Sequence, residues 1–220
     1  MSYAFQFRDV FAAWEFLLEG LVLTLELSVV TMIAGLIIGV AGAAARVYGP
    51  AWLRTIVAVY VEAIRNTPLI VQLFLIFFGL PSAGLKFDAE TAAFIALSIN
   101  LGAYSIEIVR AGLEAIPRSQ IEAGQSLGLS PAQIFRYVVI FPALRLMYPA
   151  LASQFVLLLL ATSVVSQISA TDLFHLASNI QSRTFRDFEV YVVVAAAYLA
   201  LALLFRLLFA GLYQLVFARR

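Results

Sequence analysis

The chain has 13 aspartate and glutamate residues, one histidine and no cysteine among its 220 residues. Without cysteine there is no disulfide, no thiolate nucleophile and no iron–sulfur ligation, while the redox compartment stays open. His175 stands alone between apolar runs and reads as a solvated or capping residue. No His/Cys/carboxylate cluster has metal-ligand spacing, no nucleophile–base pairing is visible, and Gly-x-x-x-x-Gly-Lys-Ser/Thr does not occur. Nothing here composes an enzyme's active site. If ATP drives this protein, another chain binds it.

The polar residues that remain sit inside or beside apolar runs, where each needs a reason. Glu62 and Arg65 are i,i+3 on one helix face, as are Glu107 and Arg110. Each pair reads either as a local ion pair near the membrane surface or as part of a gate. Pro68 removes a backbone hydrogen bond within a run, leaving carbonyls for Thr67 or a neighbouring helix to satisfy. It marks either a packing kink or a broken helix lining a pathway. Ser153, Gln154, Thr162, Ser163 and Ser166 form a polar stripe on another run, read as interhelical hydrogen bonding or as a wet pathway. Glu26 lies near a span end, from which it snorkels to the headgroups. Gly35, Gly39 and Ala43 form a small-residue stripe suited to close helix packing.

Of all residues, 63% are hydrophobic and 12% charged, with a mean hydropathy of +0.98. Soluble domains are nearer half apolar and a quarter charged. The expectation is an all-α, polytopic membrane protein, one integrated domain over residues 1–220. The net charge of +1 points to no nucleic-acid partner. The first twenty residues carry Asp9, Glu15 and Glu19 without a basic start, so no cleavable signal is expected, only a short interfacial helix.

Five spans are expected, at about 21–45, 56–80, 91–109, 143–168 and 190–217. Of the 14 basic residues, eight fall on one side: Arg46, Arg54, Arg110, Arg118, Arg136, Arg145, Arg219 and Arg220. Arg8, Lys86, Arg183 and Arg186 fall on the other, and Arg65 and Arg206 lie within spans. This excess places the N-terminus outside and the C-terminus in the cytoplasm.

The same rule puts the longest polar interval, Arg118 to Arg145, in the cytoplasm. Its grammar is two short helices in tandem. Ser119 and Glu122 have capping-box spacing after Pro117. Gly128 suits a left-handed C-cap. Ser130, Pro131 and Gln133 start a second helix that runs into Pro142. Glu122 lies beside the small residues Ala123 and Gly124, where another protein's surface could approach closely. An unpartnered interfacial hairpin has the same pattern. So has a DNA-reading helix-turn-helix, which the flanking spans disfavour.

Glu122-Ala123-Gly124-x-x-x-Gly128 with its apolar-Pro ending resembles the EAA loop of ABC importer permeases. The surrounding segments are similar to the polar amino-acid branch: Arg65-Asn66-Thr67-Pro68-Leu69, Gln72-Leu73-Phe74, Ala103-Tyr104-x-x-Glu107-Ile108-x-Arg110 and Thr184-Phe185-Arg186-x-Phe188-Glu189. The likeness runs from about Leu18 to Leu215. There are two departures in the loop: Gly124 stands for alanine, and Pro142 comes one residue late after Gly128. A third lies on span four, where many relatives carry acids and this chain has Ser153-Gln154 and Leu160-Ala161.

The resemblance implies a type I importer permease fold in a bacterial inner membrane. It implies a coupling loop over 113–142, with Glu122, Ala123, Gly124 and Gly128 docking on an ATPase that holds ATP and Mg. It also implies a periplasmic amino-acid-binding protein, a second permease subunit and surrounding lipid. Candidate pathway residues become Asn66, Thr67, Gln72, Asn100, Tyr104, Ser153, Gln154, Thr162, Ser163 and Ser166. No cofactor is expected in this chain. A channel or secondary transporter without an ATPase, and a membrane anchor for a soluble partner, are the other classes.

Overall fold

The computed structural model describes residues 5–217. Among them are ten α-helices and no strand. The helices are α1 (Arg8–Ala12), α2 (Trp14–Tyr48), α3 (Ala51–Arg65), α4 (Leu69–Phe74), α5 (Ala89–Glu114), α6 (Arg118–Ser126), α7 (Pro131–Gln133), α8 (Ile140–Ala161), α9 (Leu173–Thr184) and α10 (Asp187–Phe217). A π turn at Leu75–Gly79 and a 3-10 turn at Leu80–Ala83 extend α4. A π turn at Ile134–Val139 joins α7 to α8, and a 3-10 segment at Thr162–Ile168 follows α8.

Four helices are long and apolar enough to cross a membrane, or five when the bent pair 51–65 and 69–83 counts as one. The first extends from Trp14, so the end of the expected interfacial segment, 14–19, belongs to the long helix, and α1 stands apart from it.

The bundle is centred on α2 against α5, and glycine decides how closely they meet. A Cβ on Gly35 would stand 2.6 Å from Leu101 Cδ2, and one on Gly39 2.4 Å from Ser105 Cβ. Gly102 answers from the other helix, where a Cβ would be 2.6 Å from Ile38 Cγ2. The small-residue stripe therefore does what its spacing implied. Asp88 starts α5 as its N-cap, accepting the Thr91 N–H at 2.8 Å.

Between α3 and α4 the axis turns by 106°. Proline disfavours helix at the residue before it and has no N–H to bond. The carbonyls this frees are collected by side chains. Thr67 Oγ1 donates to Ala63 O at 2.8 Å, and Asn66 Nδ2 to Glu62 O at 2.8 Å. Gln72 Nε2 lies 2.8 Å from Ile64 O and 3.0 Å from Thr67 O. Asn100 Nδ2 then donates to Gln72 Oε1 at 3.0 Å, anchoring the break to α5.

The second short helix does not stop at Pro142. α7, the π turn, α8 and the 3-10 segment form one helical run, Pro131–Ile168. Bonding returns from i→i+5 to i→i+4 just before Pro142, a residue with no N–H to place.

Candidate functional site

The loop between α5 and α8 is built from two caps. Gly128 has φ of 76°, the left-handed conformation glycine adopts without a Cβ penalty. Its N–H donates to Gln125 O at 2.9 Å and the Leu129 N–H to Gly124 O at 3.1 Å. These two bonds make a Schellman motif that closes α6. Ser130 then opens α7 with both arms of a capping box: Gln133 N–H to Ser130 Oγ at 3.4 Å, and Ser130 N–H to Gln133 Oε1 at 2.8 Å. The expected box at Ser119 is absent. The helix starts two residues earlier, at Arg118, so Ser119 lies inside its first turn and Pro117 occupies the N-cap.

Ile121, Leu129, Ile134 and Val138 turn inward to a core shared with α5 and α8. Glu122 and Ala123 are exposed, Gly124 is buried, and Leu127 is 80% exposed at the tip. The π turn before Pro142 has i→i+5 bonding, which holds one more residue per turn than an α-helix. Its first residue, Ile134, lies over Gly124.

Above the loop lies a charged vestibule. Arg110 grips Glu107 with Nε at 3.2 Å and Nη2 at 2.6 Å, and its Nη1 reaches Glu114 at 2.6 Å. Arg46 adds a contact to Glu107 at 3.9 Å, tying α2 to α5. The expected Glu62–Arg65 pair does not form. Asn66 Nδ2 holds Glu62 Oε2 at 2.8 Å, and Arg65 crosses to lie 5.3 Å over the Tyr104 ring. Two cavities flank that stack, sharing Arg65 and Tyr104: one of 630 Å³ reaching Glu107, Arg110 and Gln154, another of 300 Å³ reaching Glu62 and Asn66.

The candidate pathway residues separate into three groups. Asn66, Tyr104 and Gln154 line these cavities. Thr67, Gln72 and Asn100 are engaged in the break between α3 and α4, and Gln72 is only 7% exposed. The stripe on span four divides. Ser153 turns away from Gln154 into a groove toward α10. Thr162, Ser163 and Ser166 donate to the carbonyls of Leu159, Leu160 and Ser163 at 2.7–2.8 Å, because the helix tightens to 3-10 there.

Sequence reading missed the joint at the opposite end. Asp172 caps α9, accepting the His175 N–H at 2.9 Å and the Tyr198 hydroxyl at 3.1 Å, with no exposed surface. Burial pushes its carboxyl above the usual range. Thr24 Oγ1 accepts the Leu173 N–H at 3.1 Å, so α2, α9 and α10 meet there. Glu189, equally buried, accepts the Gln6 N–H at 2.8 Å, with Arg186 at 4.0 Å. The Ser169-Ala170-Thr171-Asp172 run reads as an ordinary turn and gives no sign of this.

Residues 21–220 match the family model described as the binding-protein-dependent transport system inner membrane component. The chain belongs to this family. It is similar to the glutamine transport system permease protein GlnP of Escherichia coli (strain K12), 38% identical over 202 residues, covering 90% of this chain and 92% of that protein. It is also similar to the L-cystine transport system permease protein TcyB of Bacillus subtilis (strain 168), 37% identical over 183 residues, covering 83% and 78%. The crystal structure of an amino acid ABC transporter with histidines has a chain of the same family fold. It superposes with a TM-score of 0.90 at 36% identity, covering 96% of this chain and 99% of that one. The MetNI methionine ABC transporter shares the fold at a TM-score of 0.78 and 22% identity.

Proposed function

We propose that the chain is the transmembrane subunit of an ABC importer for polar amino acids in a bacterial cytoplasmic membrane, with its N-terminus outside. Two such subunits, copies or homologues, enclose the pathway, and a periplasmic binding protein delivers substrate. ATP and Mg are held by separate ATPase subunits that grip the loop at Glu122, Ala123 and Gly128. The observation that carries this is the loop itself. It is a doubly capped pair of helices, packed from below and bare at Ala123 and Leu127, welded without a joint to α8. A displacement of α6 is thereby handed to the helix that carries Gln154.

Substrate charge follows from the vestibule. Gln154 is the polar span-four residue that lines its larger cavity, where the one carboxylate, Glu107, is already paired with Arg110. A cationic side chain would find no free acid there. The subunit therefore either carries substrates without a cationic side chain or forms the neutral half of a heterodimer.

The test is reconstitution of this subunit with the ATPase and binding protein, followed by uptake of glutamine, glutamate, histidine and arginine. ATP-dependent glutamine uptake is expected, and Glu122→Lys should abolish coupling while leaving membrane insertion intact. Uptake that persists without the ATPase would assign a channel or secondary transporter. Strong arginine uptake by the homodimer, unchanged in Gln154→Leu, would end the charge argument.

A further inference from the structure

A groove of 460 Å³ runs between α8 and α10. Val156 and Phe209 contribute apolar walls, and Ser153, Arg206 and Gln214 contribute polar groups. No aspartate or glutamate lines it, and Arg206 makes no ion pair among the described residues. Tyr148 spans the two helices, its hydroxyl donating to Phe209 O at 2.7 Å. The walls are thus fixed while the cation between them is left without a counter-charge.

Depth says what supplies that charge. The two helices are antiparallel: the ring of Phe141 lies 5.5 Å from Phe217, and that of Phe155 lies 5.7 Å from Phe209. A hydrocarbon core takes about 20 helical residues. Counted from Val190, just past buried Glu189, it ends near Phe209. Arg206 is then about one turn inside the boundary, where a guanidinium snorkels to the headgroups. Tyr213, also lining the groove, falls at headgroup level, the place of an aromatic belt. Basic pockets between helices at this depth suit anionic headgroups.

We propose that the groove binds one anionic phospholipid from the leaflet on the Arg145 side. Its phosphate lies on Arg206, the Ser153 hydroxyl and the Gln214 amide donate to the ester and phosphate oxygens, and an acyl chain runs along Val156 and Phe209. The site rests on α8 and α10 spanning the membrane, and not on the substrate or the ATPase proposed above.

The full transporter, purified in mild detergent, is titrated with phosphatidylglycerol or phosphatidylcholine and weighed by native mass spectrometry. One phosphatidylglycerol per copy of this chain should be retained, about 5-fold in preference to phosphatidylcholine. Arg206→Leu should abolish the preference and Arg206→Lys keep part of it, while Arg54→Leu, outside the groove, should keep it all. Removing a charge from a span favours insertion, so Arg206→Leu reports binding rather than misfolding. Equal retention of the two lipids by the wild type, or an unchanged preference in Arg206→Leu, overturns the proposal. The chain has no native cysteine, so Ala210→Cys tests the other occupant. Near-complete disulfide dimers on oxidation in membranes would make the groove a subunit interface and overturn the lipid assignment. Absence of dimers supports it.

Discussion

Gly124 lies directly beneath Ile134: a Cβ at position 124 would stand 3.2 Å from Ile134 Cγ1 and 3.6 Å from Val138 Cγ2. The side chains of the π turn thus pack where a methyl on residue 124 would stand, and glycine leaves that space open.

Gly124→Ala asks Ile134 to yield by a few tenths of an ångström, whereas Gly124→Leu cannot be accommodated without moving α6. Overpacking of this kind costs roughly 1–3 kcal/mol. Gly124→Leu should lower the melting temperature and the ATP-dependent uptake together. Pairing Gly124→Ala with Ile134→Ala should restore what the single Gly124→Ala loses. A normal melting temperature for Gly124→Leu would mean that α6 is not seated on the π turn.

Gln72 is the tie of the broken span, and its loss leaves the half-buried Ile64 carbonyl with only the Thr67 hydroxyl at 3.4 Å. Each unsatisfied buried group costs about 1–3 kcal/mol. Gln72→Leu should therefore lower the melting temperature markedly, at roughly 2–4 °C per kcal/mol for a chain of this size. Asn100→Leu removes one outer bond and should cost less. Thermal unfolding in detergent separates them; equal melting temperatures for the two variants would refute the ranking.

Asp172 makes stability depend on pH. Burial favours its uncharged form, so its folded pKa lies above the ordinary 3.8. The folded protein then binds this proton more tightly than the unfolded chain does. The contribution to stability is complete below 3.8 and is lost as pH rises through the raised folded value. Asp172→Asn keeps one acceptor, Oδ1, for the His175 N–H, and its amide NH2 can donate to the Tyr198 hydroxyl oxygen, but it cannot titrate. Melting curves across the acidic range should slope downward with pH for the wild type and flatten in Asp172→Asn. Parallel curves would show that Asp172 does not titrate there.

Periodic apolar runs and strong punctuation made most of the architecture readable in advance. Gly128, the Ser130 box and the Gly35–Gly39 stripe are local signals, and each appears where its chemistry placed it. What could not be read depends on partners distant in the chain. Arg65 finds Tyr104 instead of Glu62, and Gln72 finds Asn100. Asp172 is buried where α2 and α10 close over the start of α9, through Gly20, Thr24 and Tyr198. Spacing also assumes a constant helical period. The π turn and the 3-10 segment break that assumption at the two ends of α8, and the 3-10 segment is why Ser163 and Ser166 did not stay on one face with Ser153.

The winding of that long helical run has a consequence for insertions and deletions. In a 3-10 segment residues three apart eclipse. Thr162, Val165 and Ile168 accordingly form one fully buried column, with Ser163 and Ser166 in the next. Deleting one residue here would rotate the columns by about a third of a turn and drive hydroxyls into the core. The π turn at Ile134–Val139 already carries a surplus residue, and losing it would only return the segment to ordinary helix. Deletion of Val138 should therefore yield a folded protein and deletion of Val164 should not, as size-exclusion profiles of the two will tell. Tolerance to a change in chain length is thus unevenly distributed along one continuous rod, generous at the end near α6 and strict at the other.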